Sequence, residues 1–167
     1  MKKIVFITLS LLLAVSFWNC EKDDICAEGT AVTPLVIIEF YDATTTTALK
    51  SVTNLGVIAP SFTTGFSFTG VSKIKVPLRT SADFTSLHFI QNGSDADTTN
   101  DNIDLLTFNY MRNDVFISRA CGYKTVFFLD ATNPIALTTD GNNWIQNIEV
   151  VQPNIVTENE VHVKIYF

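Results

Sequence analysis

The sequence predicts an all-β protein, an antiparallel β-sandwich of immunoglobulin-like architecture preceded by a helical signal peptide. After residue 20, no apolar period of 3.6 residues persists for more than a turn or two. Short runs of β-branched and aromatic residues recur instead, with Gly, Pro, Asn and Asp between them. About nine strands at this spacing are typical of a two-sheet sandwich. We expect a single domain over residues 34–167.

The strands follow from composition and alternation, taken in order along the chain. Gly65 interrupts one run, and Pro77 places another at a sheet edge because proline cannot donate to a ladder. Turns are expected at Asn92-Gly93, at Arg112-Asn113-Asp114 and at Pro153-Asn154. The predicted strands cover 35–41, a weaker 49–58, 62–68, 74–78, 84–91, 103–111, 115–120, 124–129, 144–151 and 160–167.

The N-terminus has the pattern of an export signal. Lys2 and Lys3 precede an almost wholly apolar segment, residues 4–15. Such a segment has the length of a secretory apolar core, and it is shorter than the roughly 20 residues that span a bilayer. We therefore expect residues 1–19 to be a signal peptide, with an N-terminal anchor helix or a buried helix as alternatives.

Cys20 lies where the apolar segment ends. Phe17 and Asn19 fit poorly at the −3 and −1 positions of an ordinary cleavage site, where small residues are preferred. The segment instead resembles a relaxed lipobox of bacterial lipoproteins, which implies that Cys20 carries a diacylglycerol and an acylated amino group. Each buried methylene contributes about 0.8 kcal/mol, so several chains together anchor firmly. An unmodified cysteine is the alternative.

The residues after Cys20 suggest where the anchored chain is displayed. Lys22-Asp23-Asp24 resembles the surface-export signal of Bacteroidota-type lipoproteins. The resemblance implies an outer-membrane protein, lipid-anchored and facing the cell surface, after which residues 20–33 form a linker. A merely solvated, charged tether is the alternative.

The charge balance argues against nucleic acid as a partner. Without Lys2 and Lys3, the 11 basic residues fall to 9 against 17 acidic residues, a formal charge of −8. A chain with this balance and no basic patch lacks the electrostatic footprint of a nucleic-acid-binding protein. No motif indicates a cofactor. The expected partners are the membrane, through the lipid anchor, and an envelope protein or a glycan.

Two cysteines remain if Cys20 is acylated. Cys26 and Cys121 can then form one disulfide, which an exported protein would retain. The bridge would close a loop of roughly 95 residues, a stabilisation of about 4–5 kcal/mol on the chain-entropy model. Two buried free thiols are the alternative. A metal site is disfavoured because no close Cys/His spacing exists.

Few residues suggest chemistry, and we expect no catalytic site. His88 and His162 lie in predicted strands, where a histidine is more often a strand-face residue than a base. The acidic loop offers oxygen ligands for Ca²⁺, but Asn100 and Leu106 replace the Gly and Glu that an EF-hand needs. A hydrophilic turn is the alternative. This weak calcium candidate comprises Asp95, Asp97, Asp101 and Asp104.

The chain is rich in phenylalanine, with 13 in all. Most should fill the core of the sandwich. An exposed group could bind a glycan or a protein, and the cluster around Gly65 is the strongest candidate: Phe62, Phe66 and Phe68.

Four segments together look like an uncharacterised Bacteroidota lipoprotein family. They are Asp24-Ile25-Cys26, Thr33-Pro34-Leu35, Phe40-Tyr41-Asp42 and residues 117–124. The similarity spans about 24–167 and implies no assigned activity, so it carries no catalytic residue over. The expected function is a non-enzymatic binding or assembly accessory. The alternatives are a glycan- or calcium-dependent recognition module and a hydrolase with an unrecognised site.

Overall fold

The computed structural model describes residues 3–5, 8 and 25–167. The signal peptide, Cys20 and Lys22-Asp23-Asp24 lie outside the described residues, apart from 3–5 and 8. The chain divides into two compact units. One, called the sandwich below, comprises Ala31–Val115 and Lys124–Phe167; the other, called the tip unit, comprises Met1–Thr30 and Phe116–Tyr123. Within the described part of the chain, no helix has both the length and the apolarity needed to cross a membrane.

Eleven strands are found among the described residues. They are β1 (Val36–Tyr41), β2 (Leu55–Ile58), β3 (Phe66–Phe68), β4 (Lys73–Val76), β5 (Phe84–Gln91), β6 (Asn102–Ser118), β7 (Gly122–Leu129), β8 (Ile135–Leu137), β9 (Asn147–Val150), β10 (Asn154–Ile155) and β11 (Val163–Tyr166). A 3₁₀ turn, Thr98–Asn100, lies between β5 and β6. The last residues of β6 and the first residues of β7 belong to the tip unit.

The strands form two sheets that pack as a sandwich, so the predicted fold class is confirmed. The first sheet has the order β4-β1-β11-β9, and the second has the order β10-β7-β6-β5-β2-β3, with β8 also paired to β6. One pairing departs from the antiparallel prediction. β1 and β11 run parallel, with Ile38 opposite Val163, while the other described registers are antiparallel.

Alternation along the strands builds one core between the sheets. β5 buries Leu87 and Phe89 while Ser86 and His88 are half-buried on its other face. The first sheet contributes Phe40, which is fully buried with Phe89 and with Phe108 of β6. Each such side chain contributes about 1.5–3 kcal/mol through removal from water. The core therefore requires both sheets, because each sheet covers the apolar face of the other.

The predicted turn at Arg112-Asn113-Asp114 is wrong. β6 continues through it as one strand of 17 residues. The Arg112 Nε atom donates to the Asp83 carboxylate at 2.7 Å, and its Nη1 atom donates to the Thr80 carbonyl. Three consecutive polar residues suit a strand here because this part of β6 is exposed.

Other strand predictions also differ from the structure, and the predicted 49–58 and 62–68 are shortened to β2 and β3. The break predicted at Pro153-Asn154 is the start of β10, where buried Ile155 pairs with Phe127 of β7. β8 was not predicted, since three residues are too few to show alternation. By contrast, β4 is an edge strand, as predicted, although it ends at Val76 and does not continue to residue 78.

Candidate functional site

A surface groove of about 540 Å³ in the sandwich carries the exposed aromatic side chains of this unit. It is lined by residues of β2 and β5 and by residues from the segments 59–66 and 77–79. Phe62 is 67% exposed, Phe66 48% and Phe84 49%. Three large apolar side chains left in water around one concavity are typical of a binding surface.

Gly65 allows β3 to lie against β2 at this groove. A Cβ atom at position 65 would come within 2.3 Å of the Val57 carbonyl oxygen, so any other residue would displace the strand. The next residue, Phe66, stacks on Phe68 with ring centroids 6.4 Å apart. β3 is also the edge strand of its sheet. The close approach of β3 to β2 that Gly65 allows thus places the Phe66–Phe68 pair at an edge of the sheet.

The hydroxyl groups of the groove are largely occupied by internal hydrogen bonds. Thr85 Oγ1 accepts from the Arg79 backbone N–H at 2.8 Å and lies 2.6 Å from Tyr110 Oη. Because Tyr110 donates its proton to the Arg79 carbonyl at 2.9 Å, the Thr85 hydroxyl is the donor of this pair. Burial raises the pKa of Tyr110. Ser86 Oγ is likewise engaged, 2.9 Å from Thr107 Oγ1.

The groove carries one charged group. Arg79 is the only charged side chain among the described residues that line it, and Arg79 is exposed. None of the described lining residues carries a carboxylate or a side-chain amide. A ligand in the groove would therefore meet hydrocarbon, aromatic rings, the hydroxyl group of Thr64 and a single positive charge.

The structure places the four aspartates of the calcium candidate in different roles. Asp104 is fully buried, and its carboxylate accepts from the Ile145 backbone N–H at 2.8 Å and from Asn143 Nδ2 at 3.0 Å. Its pKa is raised because burial outweighs these hydrogen bonds. Asp104 thus joins β6 to the segment that precedes β9, a positioning role that the sequence pattern did not indicate.

The exposed aspartates of this loop bind the backbone around them. Asp97 accepts from Thr99 N–H at 3.0 Å and from Thr99 Oγ1 at 2.6 Å, and these bonds lower the pKa of Asp97. Asp95 accepts from Asn54 Nδ2 at 3.1 Å and from the Asp97 backbone N–H at 2.9 Å. Asp101 is half-buried directly before β6. Over residues 25–167, no three His, Cys, Asp or Glu side chains gather as a metal-binding group.

The two histidines belong to different parts of the sandwich, and only His88 lies within a strand. His88 is half-buried on β5, opposite Leu105 and Ile58. His162 is fully buried directly before β11, and its Nδ1 atom accepts from the Ile37 backbone N–H at 2.9 Å. The backbone N–H of His162 donates in return to the Ile37 carbonyl at 3.0 Å. His162 therefore holds β11 in register beside β1.

Burial also determines the protonation of His162. Removal from water lowers its pKa, and the negative charges of Glu160 and Glu158 oppose this only in part. Since Nδ1 accepts a hydrogen bond, the proton of the neutral ring is on Nε2, an atom with no hydrogen-bond partner among the described residues. The ring is built into the sandwich as a neutral structural group.

The predicted disulfide is confirmed within the tip unit. Cys26 and Cys121 are bonded, with their Cα atoms 4.8 Å apart. The turn that presents Cys121 is closed by Ser118, whose Oγ atom accepts from the Cys121 backbone N–H at 3.0 Å. Gly122 follows at φ +71°, a conformation that favours glycine. The bridge joins the N-terminal segment to the end of the β6–β7 hairpin.

The sequence indicated part of the groove and missed the rest. Phe62 and Phe66 lie in it as candidates, and Phe68 stacks beside it, half-buried. Phe84 and Arg79 were not anticipated, because the groove brings them in from a different strand and a different loop. The alternation in β5 does place Phe84 on a face opposite to its neighbour Thr85, and this was the available signal.

A family model matches the second half of the chain and part of the first. No curated protein and no solved structure matches the chain. Residues 56–167 match a family of unknown function (DUF6452), a segment that begins within β2 and includes the groove and Cys121. Because the match covers more than half of the sequence, the chain belongs to this family of unknown function.

Proposed function

We propose that this protein is an exported outer-membrane lipoprotein, acylated at Cys20 and facing the cell surface, that acts as a non-enzymatic binding accessory. Its ligand is an extended, apolar segment of another envelope protein, bound in the aromatic groove. The single observation that carries the binding role is the exposure of Phe62, Phe66 and Phe84 around one concavity at a sheet edge. The lipobox-like Cys20 and the Lys22-Asp23-Asp24 resemblance support the location.

The chemistry of the groove favours a protein ligand over a glycan. Sugars are held by stacking on aromatic rings together with hydrogen bonds from several side chains to their hydroxyl groups. Here the hydroxyls of Thr85 and Ser86 are already engaged, which leaves Thr64 as the remaining hydroxyl of the described lining, and this lining offers no carboxylate or amide. Apolar side chains of an extended segment match such a surface, and Arg79 suits an acidic residue beside them.

The state of the titratable groups supports a non-enzymatic role. His162, Asp104 and Tyr110 are buried, have shifted pKa values and bind backbone groups that hold strands in place. Their shifted pKa values thus have a structural explanation. Because a structural network shifts pKa values as an active site does, these shifts do not by themselves indicate catalysis.

Photo-crosslinking in intact cells tests the groove. A photoreactive amino acid at position 62 or 84 is expected to give a discrete adduct with one envelope protein, because these side chains would contact the bound segment. Leu49 is the matched control, since it is 57% exposed in the same unit and does not line the groove. The substitution Phe66→Ser should remove the adduct from position 62 while the protein level is unchanged. Equal labelling from positions 49, 62 and 84 would contradict the proposal, and adducts with polysaccharide would favour the recognition module.

Cys20→Ala tests the anchor. The substitution is expected to abolish fatty-acid labelling and to release the protein from the membrane fraction, because the acylated thiol and amino group are both lost. Fatty-acid labelling and membrane fractionation measure the two effects. Cys26→Ser is the control, since it removes a cysteine of the same chain and should leave labelling intact. Retained labelling in the Cys20→Ala variant would refute the lipobox interpretation.

A further inference from the structure

We infer that the described part of the tip unit, residues 25–30 and 116–123, contacts the phospholipid surface. The inference goes beyond the binding role of the groove, and it rests on the proposed acylation of Cys20. The tip would act as a second membrane contact that orients the protein on its lipid anchor.

The described part of the tip unit exposes three large apolar side chains. Tyr123 is 68% exposed, Phe116 56% and Ile25 83%. The rings of Phe116 and Tyr123 pack edge to face across the hairpin, with centroids 5.3 Å apart, so they form one surface. An aromatic pair with a phenol group is suited to the headgroup level of a bilayer, where one end of the side chain is dry and the other wet.

The segment between Cys20 and the disulfide is short enough to keep the hairpin end near the membrane. Only residues 21–25 separate Cys20 from Cys26, and Cys26 is bonded to Cys121 beside Tyr123. At about 3.6 Å per residue, Cys26 can lie no more than roughly 20 Å from an acylated Cys20. The headgroup layer alone is about 5–8 Å thick on each side of a bilayer. The disulfide therefore keeps the hairpin end close to the lipid surface in any orientation of the tether.

The small apolar area of the tip argues for lipid over a second copy of the chain. Arg119 is exposed at the turn of the hairpin, where it can meet lipid phosphate groups, and the exposed Glu28 balances its charge, so residues 25–30 and 116–123 together carry no net charge. Two aromatic rings bury about 150–250 Å² each, whereas a stable dimer needs about 800 Å² from each partner. The apolar surface of the tip is thus too small to hold two copies together, while a bilayer surface needs no such area because the acyl chains already supply the anchoring.

A tryptophan reporter tests the inference on the acylated protein. Trp144, which is buried, is the one tryptophan of residues 20–167, so Tyr123→Trp adds a single exposed reporter. Phe62→Trp is the matched control, because Phe62 is 67% exposed and Tyr123 68%. Both variants are reconstituted into phosphatidylethanolamine–phosphatidylglycerol vesicles that carry brominated acyl chains. We expect severalfold stronger quenching from position 123 than from position 62.

Three results separate the inference from the proposal on which it rests. If the protein does not float with the vesicles, the acylation proposal fails. If it floats but positions 62 and 123 are quenched equally, acylation stands and the tip contact is refuted. If position 123 is shielded from both the brominated lipid and a water-soluble quencher, the tip is an interface between protein copies, which also refutes the inference. In the Tyr123→Trp background, replacing Cys26 and Cys121 by serine should reduce the lipid quenching, since the hairpin is then no longer held near the anchor.

Discussion

Replacing Cys26 and Cys121 together by serine is expected to lower the free energy of unfolding by about 4 kcal/mol. The bond joins residues 95 positions apart, so its removal frees most of the chain in the unfolded state. The loss is a large fraction of the 5–15 kcal/mol that typically stabilises a domain. Urea unfolding followed by the fluorescence of buried Trp144 measures the change.

Reduction provides the control for this prediction. A thiol reductant should destabilise the wild-type protein by a similar amount and leave the double serine variant unchanged. Non-reducing electrophoresis should show that the wild-type protein migrates faster than the reduced protein, and Cys121→Ser should abolish this difference. A double variant as stable as the wild-type protein would mean that the bridge constrains the tip unit alone.

Replacing His162 by alanine is expected to lower the free energy of unfolding by about 3 kcal/mol. The substitution leaves a cavity in the core and removes the acceptor of the Ile37 N–H, a buried donor whose loss of a partner costs about 1–3 kcal/mol. His162→Gln keeps a side chain that can accept a hydrogen bond and should recover part of the loss. His88→Ala, at a half-buried position, is the matched control and should cost less. Urea unfolding at pH 8 measures all four proteins.

The burial of His162 predicts how the free energy of unfolding depends on pH. Burial lowers the pKa of His162, so the unfolded chain binds a proton more readily than the folded protein. The contribution of this group is complete above its unfolded pKa of about 6.5, and it is lost as the pH falls towards the folded pKa. We expect wild-type stability to decrease between pH 7 and pH 5, and His162→Ala to decrease less. Equal slopes in the two proteins would contradict this assignment.

Much of the strand pattern could be predicted because alternation is a local property. β5 begins and ends at the predicted residues, since four apolar side chains and flanking turn residues define it. The position of β4 at an edge followed from the missing N–H of Pro77. β6 shows the limit of such reasoning. Its polar residues 112–114 look like a turn, but Arg112 binds Asp83 across an exposed part of the sheet and the strand continues.

The site was less predictable, because exposure depends on residues far apart in the chain. Composition indicates Phe62 and Phe66, whereas the place of Phe84 at the groove depends on how β5 lies beside the β2–β3 loop. In the sequence, Asp104 belongs with the other acidic loop residues as a calcium candidate. Its burial and its hydrogen bond to the Ile145 N–H come from a segment about 40 residues later, which no local pattern shows.

The sequence by itself determined the class of this protein: an all-β sandwich and one available cysteine pair once Cys20 is set aside. These features follow from local alternation and from counting, so they need no tertiary information. The tertiary structure decided that the first and last strands pair in parallel, held by Ile37 and His162. It also decided which phenylalanines fill the core and which surround the groove, because a side chain is covered or exposed according to what the rest of the chain packs against it.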